Sequence, residues 1–474
     1  MANQNQEGPE KSFPFRPVRF SSAKYFLGDV PEAVINGNVH ILENVSQAGA
    51  AFSCKIDDGA RADISRGDAI DVEFLQDGTP IFQGKAVCAY AVSDQGQKTL
   101  GVSFGDAAYD IEKIKIKNAR AVVAKARKPS QDLPVEYRAI CADLLDFVGD
   151  YSKRIDQLLT PYQDDLSSAE VDAFISEFVE KNADEWRSIL CQGNAICKPL
   201  YADRKFRKIA KRYTENTVTP VLVQGESWAR SFYKPKGYPG DYAIMNYMYD
   251  HKPEGKTVKQ KFFHILGTMA GEPIVTRKNK LVELIEEHVS KKPDDKLKLT
   301  SIGCGPCREL PDLDRMLPRT ADIEMWAMDQ EVDALQYSMN MARKLNAQSD
   351  RSIDLKPIKH AVIDMANPVD DASFYQGRDI IYSTGMVDYF GPLLARRYVG
   401  KMYSVMSPGS MLVIGNVHDG ENGTLWPMEF ILDWSLHFRT LDDMHGMAAG
   451  IPSSSYKIIR DARDAVYFLV ATKD

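Results

Sequence analysis

Gly303, Gly305, Glu309 and Asp329 are the residues whose types and spacing suit ligand chemistry. The two glycines follow an apolar run (Leu297, Leu299, Ile302) and precede residues compatible with a helix. A strand that passes into a helix through Gly-x-Gly makes a turn that a nucleotide can approach, because no Cβ stands in the way. Alone, Gly-x-Gly marks many ordinary turns. Twenty residues past Glu309, however, a second apolar segment (Ile323, Met325, Trp326, Ala327, Met328) ends at Asp329-Gln330. An acid at the tip of the second strand is placed to accept hydrogen bonds from ribose hydroxyls.

The elements that must position these residues are strands of a doubly wound α/β sheet. A third apolar run, His360–Ile363, ends in Asp364-Met365, placed to meet an adenine edge and face. Asp379–Tyr382 reads as the fourth strand, with Ser383 at its exit. Ser410–Ile414 reads as the fifth and leads into a loop containing Asn416 and His418. Tyr456–Arg460 and Ala465–Val470 would complete an antiparallel end. Three details favour S-adenosylmethionine over a dinucleotide. Arg308 stands where the third glycine of Gly-x-Gly-x-x-Gly belongs. Glu309, near a helix N-terminus, would repel a pyrophosphate but suit a cation. The third strand also ends in an acid.

This series of strand–Gly-x-Gly–Glu, strand–Asp and strand–Asp resembles the class I S-adenosylmethionine-dependent methyltransferases over roughly residues 275–474. The resemblance implies a donor site made of Gly303, Gly305, Glu309, Asp329, Gln330, Asp364, Met365 and Ser383. The competing reading is an ordinary doubly wound domain with glycine turns and capping acids. Methyl transfer from a sulfonium depends mainly on positioning and on exclusion of water, and a hydroxyl or amine acceptor must also lose a proton. His418 and Tyr242 are the candidate catalytic groups. Asn416, Trp434 and Arg439 are candidates for the acceptor pocket, the latter two within an expected helical stretch, Met428–Arg439.

Upstream, Phe232–Tyr242 (Phe-Tyr-Lys-Pro-Lys-Gly-Tyr-Pro-Gly-Asp-Tyr) interrupts a helical region, and five tyrosines fall between 233 and 249. So aromatic a turn is costly to expose, which suggests a lid, with Tyr238 and Asp241 toward the acceptor. The bland alternative is an aromatic hinge. The motif resembles a bacterial group named for making 3-hydroxypalmitic acid methyl ester, over about 225–474; the group name does not fix a substrate.

Residues 13–128 read as an antiparallel β-barrel, with strands about ten residues apart and glycine turns. Asn36-Gly37-Asn38 separates two of these strands as a tight turn, and Ala119–Lys128 either closes the barrel or leads away from it. Asn44, Ser46 and Gly49 form Asn-x-Ser-x-x-Gly, preceded by Arg16 and Arg19. This resembles the PilZ domain, which binds cyclic di-GMP, and implies that these five residues form such a site. The arginines depart from the family's Arg-x-x-x-Arg, being three apart. The alternative is a degenerate barrel serving as an interaction module.

The 474 residues thus divide into a disordered tail (1–12), a PilZ-like barrel (13–128), a helical lid and linker region (135–295) and a methyltransferase domain (296–474). A net charge of −7 argues against bulk nucleic-acid binding. Without an apolar run of about 18 residues, no membrane span is expected. Seven irregularly spaced cysteines fit a reducing cytoplasm, and Cys304-x-x-Cys307 reads as loop packing, not a metal site. The expected activity is methylation of a small amphipathic acid or hydroxyl compound, with cyclic di-GMP as candidate regulator. Its rivals are a protein methyltransferase recruited by the barrel and a catalytically silent cyclic di-GMP receptor.

Overall fold

A computed structural model describes residues 20–26, 29–55, 64–76, 78–94, 97–105, 109–124, 132–162, 165–291, 296–317, 322–349, 351–360, 374–418, 420 and 422–474. They belong to two compact units that divide between Lys128 and Pro129. The tail at 1–12, Arg16, Arg19, Asp364 and Met365 lie outside the described residues.

The first unit is a closed antiparallel barrel. Its strands are β1 (Phe20–Ser21), β2 (Glu32–Ile35), β3 (Asn38–Val45), β4 (Gly49–Lys55), β5 (Ala69–Gln76), β6 (Thr79–Asp94) and β7 (Gln97–Ser103). Pairing runs β3-β2-β5-β6-β7-β4, β4 closes back on β3, and β1 adds to β3 outside the ring. Alternation sets the inside: Ile70, Val72 and Phe74 are buried, while Asp71 between them is exposed. Phe52, Phe74, Phe82, Phe104 and Tyr109 fill the interior. Asn36 and Gly37 have φ of +46° and +81°, the two-residue turn that the right-handed twist of a hairpin favours. Residues 111–124 form a helix, so the described part of the segment Ala119–Lys128 is helical.

The second unit joins a helical layer to a doubly wound sheet. Helix Val135–Leu159 buries Tyr137, Ile140, Cys141, Leu144 and Val148 at helical spacing. These residues share a core with Trp186, Trp228, Phe262, Phe263, Trp426 and Phe430. The sheet contains β8 (Lys296–Ile302), β9 (Asp322–Asp329), β10 (Ile353–Lys359), β11 (Ile380–Ser383), β12 (Met411–Val417), β13 (Tyr456–Arg460) and β14 (Val466–Thr472). Their order is β10-β9-β8-β11-β12-β14-β13. The first five are parallel, and β14 is antiparallel to both its neighbours. This is the α/β sheet with an antiparallel end that the sequence implied. The strand order reverses between β8 and β11, which opens a crevice at their carboxyl ends.

One expected strand falls largely outside the described residues, and one expected helix is broken. The third strand of the sheet is Ile353–Lys359, and of the expected run His360–Ile363 only His360, just past its end, is described. The third strand is an edge strand with much of its length solvated, so its apolar pattern is weak and Pro357 is tolerated. Met428–Arg439 is not a helix throughout: a π-helical turn spans Trp426–Ile431, and Asp433 (φ +49°) breaks it. No helix among the described residues is long and apolar enough to cross a membrane.

Candidate functional site

A cavity of about 370 Å³ opens at the reversal point, within the volume range of small-molecule sites. Its floor is the turn after β8. Gly303 and Gly305 have φ of +63° and +54°, a backbone that other residues adopt only under strain. A Cβ on Gly303 would also press to 3.2 Å from Met386. The Cys304 N–H donates to the Met328 carbonyl at 3.0 Å, which draws the turn over the end of β9. At that end, Asp329 accepts from the Gly305 N–H through Oδ2 and from the Glu331 N–H through Oδ1, both at 2.9 Å. Each carboxylate oxygen keeps a further lone pair for a ligand hydroxyl.

Glu309 begins the next helix and lines the cavity. Tyr382 donates to it at 2.6 Å. Burial raises the pKa of Glu309 and also that of Asp329, which the backbone N–H groups partly oppose. Gln330 and Glu331 line the same rim. Cys304 and Cys307 pack in the apolar cluster beside the turn, and the Cys307 thiol together with burial pushes Cys304 well above its ordinary pKa. A thiol so held is a poor nucleophile. No cluster of His, Cys, Asp or Glu suited to a metal is found among the described residues.

The aromatic loop closes the other side. Tyr238, Gly240 and Tyr242 line the cavity, followed by Met245 and Tyr249 on helix Tyr242–Asp250. Charged side chains hold this lid. Asp241 caps the helix by accepting from the Ala243 and Ile244 N–H groups at 3.0 Å, and it takes two charge-assisted bonds from Arg230, at 2.9 and 2.8 Å. Lys234 reaches Asp433 at 2.9 Å, and Lys236 pairs with Asp333. Arg308, in the third glycine's place, bonds Asp250 at 2.5 Å and the Tyr337 hydroxyl at 3.0 Å. That arginine therefore links the glycine turn to the lid helix.

Opposite the acids lies an apolar end made by Met428, Trp434, Leu436 and Tyr389. The Trp434 indole donates to the Tyr389 hydroxyl at 2.9 Å. Gly240 fits against both rings, where a Cβ would come within 2.7 Å of Trp434. The strained Asp433 that aims Trp434 is held from two sides by Lys211 and Lys234.

The structure thus brings Gly303, Gly305, Glu309, Asp329, Gln330, Tyr238, Tyr242 and Trp434 to one cavity. It leaves other expected residues outside. His418 stacks on Tyr467 (4.3 Å), accepts from the Gly420 N–H at 2.8 Å and faces Asp464 at 3.3 Å, so it is a packed loop residue and not a base in the cavity. Asn416 and Arg439 bond each other, and Arg439 also donates to the carbonyls of Val387 and Phe390. That buried network braces the loops after β11 and β12 and leaves Arg439 no acceptor to meet. Ser383 is buried within the sheet, and Asp241 is consumed as cap and ion-pair partner. Sequence reasoning missed Arg277 and Lys278 in the cavity wall. They stand on helix Glu272–Lys291 in a polar stretch that looks like any solvated helix face.

In the barrel, Ser46 and Gly49 close a turn. The Ser46 N–H and hydroxyl both donate to the Gly49 carbonyl, at 2.8 and 3.2 Å. A Cβ on Gly49 would lie 2.4 Å from the Val102 carbonyl oxygen. Both residue types are therefore explained by the fold. Asn44 is half-buried beside a bulge in β3.

No protein-family model matches the sequence, and no match to a curated protein was found. Among solved structures, the chain is similar to a possible exported protein from Bordetella parapertussis, at 13% identity and a TM-score of 0.39, over 56% of this chain and 96% of that one. It is also similar to magnesium protoporphyrin IX methyltransferase from Synechocystis PCC 6803, solved with bound SAM, at 10% identity and a TM-score of 0.32, over 56% and 97%. A SAM-dependent methyltransferase from Methanosarcina mazei shares 12% identity with a TM-score of 0.29, over 39% and 96%.

Proposed function

We propose that the second unit is an S-adenosylmethionine-dependent methyltransferase acting on a small amphipathic acceptor inside the lidded cavity. The observation that carries this reading is the joined turn and strand tip: two left-handed glycines whose second N–H is held by Asp329, with Glu309 buried beside them. The residues fit the donor. A side chain at 303 would strain the turn and press on Met386, so the cradle requires glycine. Three carboxylates, Glu309, Asp329 and Glu331, line the donor half, where a cation gains and a pyrophosphate would be repelled. Asp329 would hold the ribose, and Glu309 the cationic end. The bound donor supplies a methyl group already activated for in-line displacement. What this chain adds is orientation, and a wall of Tyr238, Tyr242, Met428 and Trp434 that excludes water. Tyr242, in that wall, is the remaining candidate for assisting a proton-bearing acceptor.

For the barrel, the sequence resemblance supports a regulatory role with cyclic di-GMP as ligand, and the half-buried Asn44 is the described side chain available to it. Titration calorimetry with S-adenosylmethionine, with and without cyclic di-GMP, tests both parts. Absence of donor binding overturns the enzyme reading. Absence of any dinucleotide heat overturns the regulatory one.

A further inference from the structure

If the cavity is a methyltransferase site, it must also recognise its acceptor, and Arg277 has the surroundings to do so. Its side chain lies in the cavity wall and is 14% exposed. Among the described residues, its guanidinium approaches Asp388 Oδ2 at 3.7 Å and Met245 Sδ at 3.8 Å. The first distance is too long for a hydrogen bond, and a thioether is a weak acceptor. A guanidinium carries five N–H donors in a planar fork shaped for a carboxylate. Asp388 faces the guanidinium as an ion-pair partner through Oδ2, without a hydrogen bond, while its Oδ1 accepts from the Val417 N–H at 2.8 Å, so none of the five donors is hydrogen-bonded to Asp388.

The space for the fork is provided by a missing side chain. A Cβ on Gly385 would stand 2.8 Å from Arg277 Nη2 and 3.1 Å from Nη1. Gly385 follows β11, on the far side of the cavity from β9 and Asp329. The arginine's neighbours Met245 and Asp388 belong to the lid and to the turn that carries Tyr389, whose hydroxyl meets Trp434. Cationic fork and apolar wall therefore share the end opposite the donor acids.

We propose that Arg277 receives the carboxylate of the methyl acceptor, which makes the substrate class a small carboxylic acid with an apolar or aromatic body. The proposal rests on the methyltransferase reading. It assigns Arg277 a positioning and specificity role, with Gly385 holding the space it needs.

The test uses the full chain, its Arg277→Gln, Arg277→Lys and Gly385→Ala variants, and two probe pairs: decanoate with decanamide, and 3-phenylpropionate with its amide. S-adenosylhomocysteine is titrated into each protein first, and the probes are then titrated into the saturated complexes. The wild type is expected to prefer each acid over its amide by about tenfold or more, as a charge-assisted pair allows. Arg277→Gln and Gly385→Ala should lose that preference and keep S-adenosylhomocysteine affinity, with Arg277→Lys between. Gly385→Ala keeps the arginine and only displaces it, so the proposal stays testable where Arg277→Gln unfolds on melting. Equal binding of acid and amide by the wild type, binding of neither, or a preference that survives Arg277→Gln, overturns the proposal while leaving the methyltransferase reading intact. A large loss of S-adenosylhomocysteine affinity in Arg277→Gln also overturns it, by giving the fork to the donor's own carboxylate. A wild type that binds no S-adenosylhomocysteine removes the underlying reading and this inference with it.

Discussion

The two halves of the cavity are built in opposite ways. The half proposed for the donor comes from consecutive chain: β8, its glycine turn and Glu309, then the tip of β9. The half proposed for the acceptor is assembled from residues far apart in sequence, among them Tyr238, Arg277, Tyr389 and Trp434, held by ion pairs between loops. One half is fixed by backbone conformation and the other by side-chain charge. They should therefore fail differently.

The largest effect should come from the backbone. Gly303→Val places a β-branched residue at φ +63° and against Met386. Donor affinity is expected to fall by about a hundredfold or more, since such strain alone costs about 1–3 kcal/mol and the new side chain also fills the cradle. Retained affinity in calorimetry would remove the glycine turn from the donor site.

Acid should act with opposite sign on the helical support of the lid and on the buried acids of the cavity. His264, buried beneath Tyr247 of the lid helix, has its pKa lowered by burial to about 4. A depressed histidine favours the folded state while neutral. Its contribution of up to about 3 kcal/mol is full above pH 6.5 and is lost as pH falls toward 4. Glu309 and Asp329 are raised instead, so their burial becomes less costly over the same descent. Denaturant unfolding across pH 7 to 4 should show a net loss that His264→Gln flattens. A variant with an unchanged pH profile would show that His264 is not responsible.

Asp329→Ala removes the acceptor for two N–H groups and should weaken donor binding by about 1–3 kcal/mol, with acceptor binding little changed. Equal losses for both ligands would erase the distinction between the halves. The smallest effect is expected from Trp434→Phe, which deletes one hydrogen bond to Tyr389 at a cost of about 1 kcal/mol. Acceptor KM should rise a few-fold while S-adenosylhomocysteine affinity stays put.

The same contrast explains what could be read from the chain. The donor half was legible because its geometry is local: a strand, two glycines and an acid keep their meaning without the rest of the fold. The hairpin at Asn36-Gly37 and the helix at Val135 were legible for the same reason. Arg277 and Arg439 show the limit. Both are arginines in polar surroundings, and only the packing decides that one reaches the cavity while the other is consumed by carbonyls. The edge strand β10 was not legible because solvent on its flank removes the apolar run that marks an inner strand. The π-helical turn at Trp426 was invisible because its break at Asp433 depends on two lysines distant in sequence, Lys211 on a helix and Lys234 in the aromatic loop.

Arg308 has a thermodynamic consequence. Because it ties the glycine turn to Asp250 at the end of the lid helix, the turn cannot settle around one ligand without biasing the lid toward the other. Such linkage is reciprocal. The expected outcome is that each ligand changes the affinity for the other by the same factor in calorimetry, and that Arg308→Ala brings this factor toward one.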